Sequence, residues 1–372
     1  MTVGIITSLP MAGLAGTESL VAENLQRFVD SGAMAGAVVV IADKNTVLAE
    51  GAVGYADIAG KVPMKMDDLF WIASMSKPMT AAAFMMLVDE GKVSVDDQVS
   101  KYLPEFANTH LGAPAGEGTT ARPILIRDLL SHTSGLPFAA PSESPTLDRL
   151  SLAQRTADYG KLALQSAPGE KYAYSNAGIN TVGRLIEVIS GMPYEQFMSK
   201  RMFEPLGMKD TVFVPAAEQL KKLPKSYRVS PDGRSLTESS IGQLSYPLND
   251  PSRTPMPAGG LFSTAGDTTK FCQMIAADGM AEGRQLISPE SIREMTKRQT
   301  PAELSENYGF GWAIWGNSYL HGGAFKTSMG VSKDTGVITV FLVHQDGPWG
   351  ADGDAIPQAL EAIAKIARAD AP

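Results

Sequence analysis

The spacing of apolar residues changes twice along the N-terminal part of the chain. Between Glu18 and Val29 apolar residues recur at helical spacing, which predicts a helix with one buried face. Two short valine-rich runs separated by the polar turn Asp43–Asn45 predict the strands of a hairpin, Ala37–Ile41 and Val47–Ala52. The helix-forming run Ala81–Val88 then predicts a buried helix that ends at Gly91.

The middle of the chain combines helical patterns with loops rich in Pro and Gly, and it has no long alternating strand. Its predicted helices are Ile124–Leu130, Ile179–Ile189 and Tyr194–Met202. Towards the C-terminus the pattern predicts three strands and a closing helix, at Tyr308–Ile314, Lys326–Val331, Val337–His344 and Ala355–Arg368. Strands at both ends with a helical insert between them predict an α/β (α+β) fold. We expect residues 1–75 and 256–372 to form a sheet subdomain and residues 76–255 a mainly helical one.

Ser74 and Lys77 stand three residues apart at the start of the predicted apolar helix. Residues at this spacing lie on one face of a helix, so the Lys77 side chain can reach the Ser74 hydroxyl. Serine needs such a partner, because it is a poor nucleophile unless a base accepts its proton. The start of a helix also carries unpaired N–H groups that favour negative charge on oxygen. Ser74 is therefore the candidate nucleophile.

A second element is Tyr174-Ser175-Asn176, which follows a Pro-Gly turn and precedes a helix predicted to begin near Gly178. A nearby cation favours the ionised form of a tyrosine, and a phenolate can take the proton of a serine. Tyr174 is therefore a candidate for that role. The alternative is a tyrosine that only packs on a helix.

A third element is His321-Gly322-Gly323, where paired glycines allow a ligand to approach the edge of a strand closely. A competing element begins five residues later with Lys326-Thr327-Ser328, and it would supply a permanent cation in place of an imidazole. That segment lacks the glycine. We therefore rank it second.

In this order the three elements resemble the motifs of the penicillin-recognising serine hydrolases, which include class C β-lactamases, serine DD-peptidases and related family VIII type carboxylesterases. The resemblance extends from about residue 20 to residue 345, and four further stretches carry it: Leu130–Leu136, Pro205–Met208, Ala258–Thr264 and Tyr308–Trp312. It implies an antiparallel sheet flanked by helices, a mainly helical subdomain and an active site between the two.

The resemblance also implies roles for the residues of the three elements. Ser74 would be acylated, and Lys77 and Tyr174 would move its proton, with the choice of base between them left open. Asn176 would hydrogen-bond either Lys77 or the acyl side of the substrate. The third element, His321-Gly322-Gly323, would line the substrate site, and the N–H groups of Ser74 and Ala324 would form the oxyanion hole.

One departure changes the expected substrate. The β-lactamases of this family usually carry Lys-Thr-Gly as their third motif, and that lysine helps to hold the carboxylate of the antibiotic. His321 stands at this position, and a histidine with a pKa of about 6.5 is mostly neutral at neutral pH. We therefore expect hydrolysis of carboxylic esters with short acyl chains. The alternatives are a DD-peptidase or D-amino-acid peptidase, a weak β-lactamase, an acyltransferase, and a catalytically silent ligand-binding module.

An apolar wall for a neutral acyl group is expected from bulky residues near these motifs. The candidates are Trp71, Phe138, Met256, Phe262, Trp312 and Phe325. The sequence contains no G-x-S-x-G, H-E-x-x-H, P-loop or G-x-G-x-x-G motif. We therefore expect a small-molecule ester or amide as substrate, with no cofactor and no metal.

Composition limits the partners and the compartment. The 40 acidic and 32 basic residues give a net charge of -8, and no Lys/Arg stripe is present, so nucleic acid is not an expected partner. The single cysteine, Cys272, excludes an intramolecular disulfide and a Cys-ligated cluster. No apolar stretch approaches the roughly 20 residues that span a bilayer. Because Met1–Gly16 lacks a basic segment, we expect a soluble protein, cytoplasmic unless a leader has been removed from a periplasmic or secreted form.

Overall fold

The computed structural model describes residues 14–112, 119–120, 122–230, 233 and 235–371. Most of the apolar N-terminal segment Met1–Gly16 lies outside these ranges. The helices are α1 (Leu14–Asp30), α2 (Ser76–Asp89), α3 (Ile126–Leu130), α4 (Leu152–Tyr159), α5 (Asn176–Ser190), α6 (Tyr194–Met198), α7 (Ala217–Leu220), α8 (Ala265–Ala276), α9 (Pro289–Met295) and α10 (Ile356–Ala369). None of the helices within these ranges is long and apolar enough to cross a membrane.

The strands fall mainly at the two ends of the chain. They are β1 (Gly36–Ala42), β2 (Val47–Asp57), β3 (Val62–Pro63), β4 (Phe70–Trp71), β5 (His110–Leu111), β6 (Thr119–Thr120), β7 (Ser226–Val229), β8 (Leu236–Ser239), β9 (Phe262–Ser263), β10 (Met280–Ala281), β11 (Arg284–Gln285), β12 (Ala313–Trp315), β13 (Ser318–Gly322), β14 (Ser328–Ser332), β15 (Ile338–Leu342) and β16 (Gln345–Asp346).

Seven of these strands form one antiparallel sheet in the order β12-β13-β14-β15-β1-β2-β3. The two ends of the chain meet in its centre, where β1 pairs with β15 and Val40 lies opposite Val340. The prediction of a sheet built from both ends of the chain, with helices in between, is confirmed. The subdomain boundaries at residues 75 and 255 stay a prediction.

Strand β1 is buried on both faces, because apolar residues occupy every position that follows its first glycine. One set of alternate residues, including Val39 and Ile41, packs with α1 and α10 on one side of the sheet. The other set, including Val38 and Val40, joins the larger core that contains α2 and α8. Helix α2 is therefore buried between the sheet and the helical part of the chain, and its first turn carries Lys77.

The C-terminal strand pattern is only partly confirmed. The predicted strand Tyr308–Ile314 is wrong for most of its length, since pairing in β12 begins at Ala313. Gly311 explains the difference: its φ is +77°, and a Cβ there would lie 2.9 Å from the carbonyl oxygen of Lys77. The segment therefore packs on the first turn of α2 instead of extending the sheet. Strand β13, which ends at Gly322, is absent from the prediction.

Candidate active site

Ser74 lies in a 3₁₀ turn, Ala73–Met75, that leads directly into α2. Ala73 has φ +46°, a left-handed conformation that costs a residue with a side chain about 1–2 kcal/mol. The Ser76 hydroxyl holds the turn by donating to the Ala73 carbonyl oxygen at 2.7 Å. Ser74 itself is half-buried. The fold thus fixes a strained turn that leaves this hydroxyl accessible.

Lys77 is fully buried, and its Nζ contacts three oxygen atoms. They are Ser74 Oγ at 3.1 Å, Asn176 Oδ1 at 2.8 Å and the carbonyl oxygen of Ala258 at 2.7 Å. The predicted contact between Lys77 and Ser74 is therefore present. Burial lowers the pKa of Lys77 well below its usual value, because the charged form loses its hydration. A neutral amine would donate to Asn176 and Ala258 and direct its lone pair at the Ser74 hydroxyl.

Tyr174 lies against the same lysine. Its ring centroid is 4.5 Å from Lys77 Nζ and 4.4 Å from the ring centroid of His132. Burial raises the pKa of the Tyr174 phenol, and a smaller hydrogen-bonding contribution from the Ser74 side chain opposes the rise. The phenol is therefore protonated at neutral pH in the free protein.

The start of α5 fixes the Tyr174-Ser175-Asn176 element. Ser175 is the N-cap: its Oγ accepts the N–H of Gly178 at 3.0 Å and donates to the Pro137 carbonyl oxygen at 2.7 Å. The helix consequently begins at Asn176, slightly earlier than predicted. This cap directs the buried Asn176 side chain towards Lys77, which is one of the two partners expected for it.

His321 lies near the end of β13 with its ring buried, and both of its nitrogens already have partners. Nε2 is 2.9 Å from the Tyr308 hydroxyl, and Nδ1 is 2.8 Å from the Gly322 carbonyl oxygen. Because the carbonyl can only accept, Nδ1 carries the proton and the Tyr308 hydroxyl donates to Nε2. Burial and the nearby Lys77 lower the pKa of His321 to about 3. The geometry thus favours a neutral ring held inside the protein over direct binding of substrate.

The glycines after His321 bring this strand end next to the turn that carries Ser74. A Cβ on Gly323 would lie 2.6 Å from the carbonyl oxygen of Ile72, so the close approach requires glycine. Ala324 follows and is exposed. Among the hydrogen bonds of the described residues, none has the N–H of Ser74 or Ala324 as donor. Both N–H groups expected to form the oxyanion hole are thus available to a ligand.

The alternative third element, Lys326-Thr327-Ser328, does not direct its lysine at the site around Lys77. Lys326 Nζ lies 5.4 Å from the ring centroid of Trp349, and that ring packs on the side of the sheet covered by α1 and α10. Its cation is therefore directed away from Lys77. The ranking of His321-Gly322-Gly323 above Lys326-Thr327-Ser328 agrees with this placement.

The expected apolar wall is largely core. Five of the six residues are buried, with at most 4% of their surface exposed: Trp71, Met256, Phe262, Trp312 and Phe325. Phe138 is different, because 49% of its surface is exposed and its ring stacks on Tyr174 with a centroid distance of 6.4 Å. Its backbone carbonyl accepts the N–H groups of Asn176 and Ala177. Phe138 is thus the one member of this set that offers an apolar surface to a ligand.

Two contacts at this site were not predicted from the sequence. The carbonyl of Ala258 is an acceptor for Lys77, although the Ala-Gly-Gly segment carries no side chain that would indicate it. His132, which lies in the stretch Leu130–Leu136, is buried and packs on Tyr174, and its Nδ1 accepts the N–H of Ser175 at 3.1 Å. Across the described ranges no group of three or more His, Cys, Asp or Glu side chains is arranged to hold a metal ion.

Comparison with known proteins identifies the family. The sequence model described as Beta-lactamase matches residues 21–363. Protein Rv1367c of Mycobacterium tuberculosis (strain ATCC 25618 / H37Rv) is 34% identical over 304 residues, which are 78% of this chain and 75% of that protein. The D-alanyl-D-alanine-carboxypeptidase/endopeptidase AmpH of Escherichia coli (strain K12) is 32% identical over 249 residues, 66% of this chain and 58% of AmpH.

A solved structure shares the fold. EstCE1, described as a hydrolase with promiscuous acyltransferase activity, has a TM-score of 0.78 and 23% sequence identity, covering 93% of this chain and 99% of that one. This similarity agrees with the sheet and helices described above. The family match itself covers most of the sequence and includes all three elements around Ser74. The chain therefore belongs to the β-lactamase family of serine hydrolases.

Proposed function

We propose that this protein hydrolyses carboxylic esters of short acyl chains through an acyl-enzyme on Ser74, at a site between the sheet and the helical part of the chain. The observation that carries the proposal is the environment of Lys77. Its amine contacts the Ser74 hydroxyl and two carbonyl-type oxygens, and burial lowers its pKa. This arrangement favours Lys77 as the group that accepts the serine proton.

Acylation then proceeds in two steps. Ser74 Oγ attacks the carbonyl carbon of the ester while its proton passes to Lys77 Nζ, and the N–H groups of Ser74 and Ala324 stabilise the oxyanion. The bond to the alcohol oxygen breaks, and the alcohol takes a proton from the Tyr174 phenol. The Lys77 ammonium returns a proton to Tyr174. A water molecule later attacks the acyl carbon by the same route and releases the acid.

The neutral His321 supports an uncharged substrate. A carboxylate beside this ring would find no cation on it, because its pKa is lowered to about 3 and both nitrogens are occupied. β-Lactam antibiotics and peptides ending in D-alanine both carry a carboxylate next to the bond that is cleaved. An ester of a neutral alcohol needs no such cation, and the exposed ring of Phe138 offers it an apolar surface.

A second candidate is a DD-peptidase. It is favoured by the 32% identity with AmpH, which is named a D-alanyl-D-alanine-carboxypeptidase/endopeptidase. The same residues around Ser74 would cleave an amide, and the difference would lie in how the terminal carboxylate is held. An acyltransferase would differ only in the acceptor that takes the acyl group.

One substrate panel separates ester hydrolysis from peptidase and β-lactamase activity. The wild type and Ser74→Ala are incubated with p-nitrophenyl acetate, butyrate and octanoate, a chromogenic cephalosporin and a peptide ending in D-Ala-D-Ala. We expect turnover of acetate and butyrate, weaker turnover of octanoate, and no ester hydrolysis by Ser74→Ala. Cleavage of the peptide or the cephalosporin without ester turnover would contradict the proposal.

A further inference from the structure

A chain of buried hydrogen bonds leads away from the active site through the peptide group of Ala258. The carbonyl oxygen of Ala258 accepts from Lys77 Nζ at 2.7 Å, and the N–H of the same residue donates to Asn180 Oδ1 at 3.1 Å. Asn180 Nδ2 contacts the Tyr159 hydroxyl at 3.1 Å, and that hydroxyl lies 2.8 Å from Glu143 Oε1. Asn180, Tyr159 and Glu143 are all buried.

The direction of each bond in this chain is determined by chemistry. A peptide N–H can only donate, so Asn180 must present its oxygen to Ala258 and its NH₂ group to Tyr159. The phenol then accepts from Asn180 and has a single proton, which it gives to the carboxylate of Glu143. Every donor therefore points from Lys77 towards Glu143.

At its end remote from Lys77, this series of hydrogen bonds meets a buried ion pair. Arg155 Nε lies 3.6 Å from Glu143 Oε1, and both side chains are at most 2% exposed. The second oxygen of Glu143 accepts the N–H of Ala140 at 2.8 Å. The guanidinium of Arg155 also donates to the carbonyl oxygens of Leu147 and Pro255. The carboxylate is thus fixed in position inside the helical part of the molecule.

Hydrogen bonds arranged head to tail polarise one another, and the effect is larger in a low-dielectric interior. The carboxylate of Glu143 makes the Tyr159 oxygen a better acceptor, and the same polarisation continues through the Asn180 amide to the Ala258 peptide. The Ala258 carbonyl therefore becomes a stronger acceptor for Lys77. Asn180 also lies one helical turn after Asn176, so α5 supports Lys77 directly through one asparagine and indirectly through the other.

We propose that Asn180 and Tyr159 are positioning residues that hold the Ala258 carbonyl on Lys77 and thereby stabilise its ammonium form. The inference rests on the proposed function, because it requires Lys77 to exchange a proton with Ser74. Among the described residues, the titratable groups that face Lys77 are Tyr174, His132 and His321. None of these is altered by a change at Asn180 or Tyr159.

The test compares Asn180→Ala and Tyr159→Phe with the wild type and with Tyr102→Phe. The last variant is a matched control, because Tyr102 also donates to a carboxylate, at 2.7 Å from Asp97 Oδ2, but among the described residues neither of the two hydrogen-bonds to Lys77 or its partners. The kcat and KM values for p-nitrophenyl butyrate are measured from mildly acidic to alkaline pH, and the melting temperature of each variant is recorded. Ser74→Ala is included to test the nucleophile separately.

We expect Asn180→Ala to lower kcat about threefold with little change in KM, the fold-change that corresponds to losing about half a pKa unit of stabilisation of the Lys77 ammonium. The acidic limb of the pH profile, which reports the deprotonation of Lys77, should move about half a unit to lower pH, because the ammonium form loses stabilisation. Tyr159→Phe should move the same limb in the same direction by a smaller amount. Tyr102→Phe should leave it in place.

If the acidic limb does not move in either variant and kcat falls only in step with the melting temperature, the inference is overturned. The hydrogen bonds between Ala258 and Glu143 would then have a purely structural role. If Asn180→Ala does not fold, Tyr159→Phe decides, because it removes one oxygen and no apolar surface. Ester hydrolysis that persists in Ser74→Ala would instead overturn the proposed function.

Discussion

The sign of the pH response at Asn176 offers a sharp test of the proposed proton acceptor. Lys77 Nζ has three oxygen partners, and Asn176 Oδ1 at 2.8 Å is one of the two that do not react. Replacing Asn176 by Ala removes an acceptor from a buried ammonium, whereas replacing it by Asp puts a negative charge in the same place. The two variants should therefore move the pKa of Lys77 in opposite directions.

The size of the effect follows from the hydrogen bond that is lost. A hydrogen bond to a charged group contributes about 1.5–3 kcal/mol. If it is fully expressed in the transition state, its removal lowers kcat/KM about 10- to 150-fold. The pKa of Lys77, already lowered by burial, falls further in Asn176→Ala and rises in Asn176→Asp. The limb that reports Lys77 consequently moves to lower pH in the first variant and to higher pH in the second.

The assay is the pH dependence of kcat/KM for p-nitrophenyl butyrate, with thermal unfolding as a control for the fold. The backbone N–H of Asn176, which donates to the Phe138 carbonyl oxygen at 3.0 Å, is kept in both variants, so the start of α5 should persist. Limbs that stay in place, or that move the same way in both variants, would refute the assignment of Lys77 as the proton acceptor.

Three further predictions follow from the buried groups around this site. Tyr174→Phe should lower kcat at least about a hundredfold with the fold intact, and near-full activity would remove the phenol from the proton path. Tyr308→Phe leaves His321 Nε2 buried without a donor, which should lower the free energy of unfolding by about 1–3 kcal/mol in urea titrations, and unchanged stability would contradict that contact. The buried His321 and His344 have pKa values lowered to about 3 and about 4, so the unfolded chain binds more protons and stability should fall as pH drops below about 6.5. A free energy of unfolding that is constant from neutral pH to about pH 5 would contradict this.

The order of the elements could be predicted from local patterns. The hairpin β1–β2, helix α2 and its end at Gly91 followed from apolar spacing and helix stop signals, and Gly91 has φ +68° as its position after the helix requires. The proximity of Ser74 and Lys77 followed from the geometry of a helix. The strand predicted at Tyr308–Ile314 failed because alternation does not show that Gly311 must approach the backbone of α2.

The contacts that tune the site could not be predicted, because they depend on tertiary packing. Ala258 acts through its backbone, so its residue type does not indicate a partner for Lys77. Glu143 stands in a stretch rich in Pro and Ser that is typical of an exposed loop, yet its carboxylate is buried beside Arg155. His321 was expected to line the substrate site, but the fold places the Tyr308 hydroxyl on its Nε2 and the Gly322 carbonyl oxygen on its Nδ1.

Covalent labelling directly tests whether Ser74 is the nucleophile. The protein is treated with a fluorophosphonate at neutral pH, and the modified residue is located by peptide mass spectrometry, with Ser74→Ala treated in parallel. We expect a single phosphonylated residue, Ser74, loss of ester hydrolysis in proportion to labelling, and no labelling of the variant. Labelling of another serine, or an unlabelled protein that still hydrolyses p-nitrophenyl butyrate, would contradict this expectation.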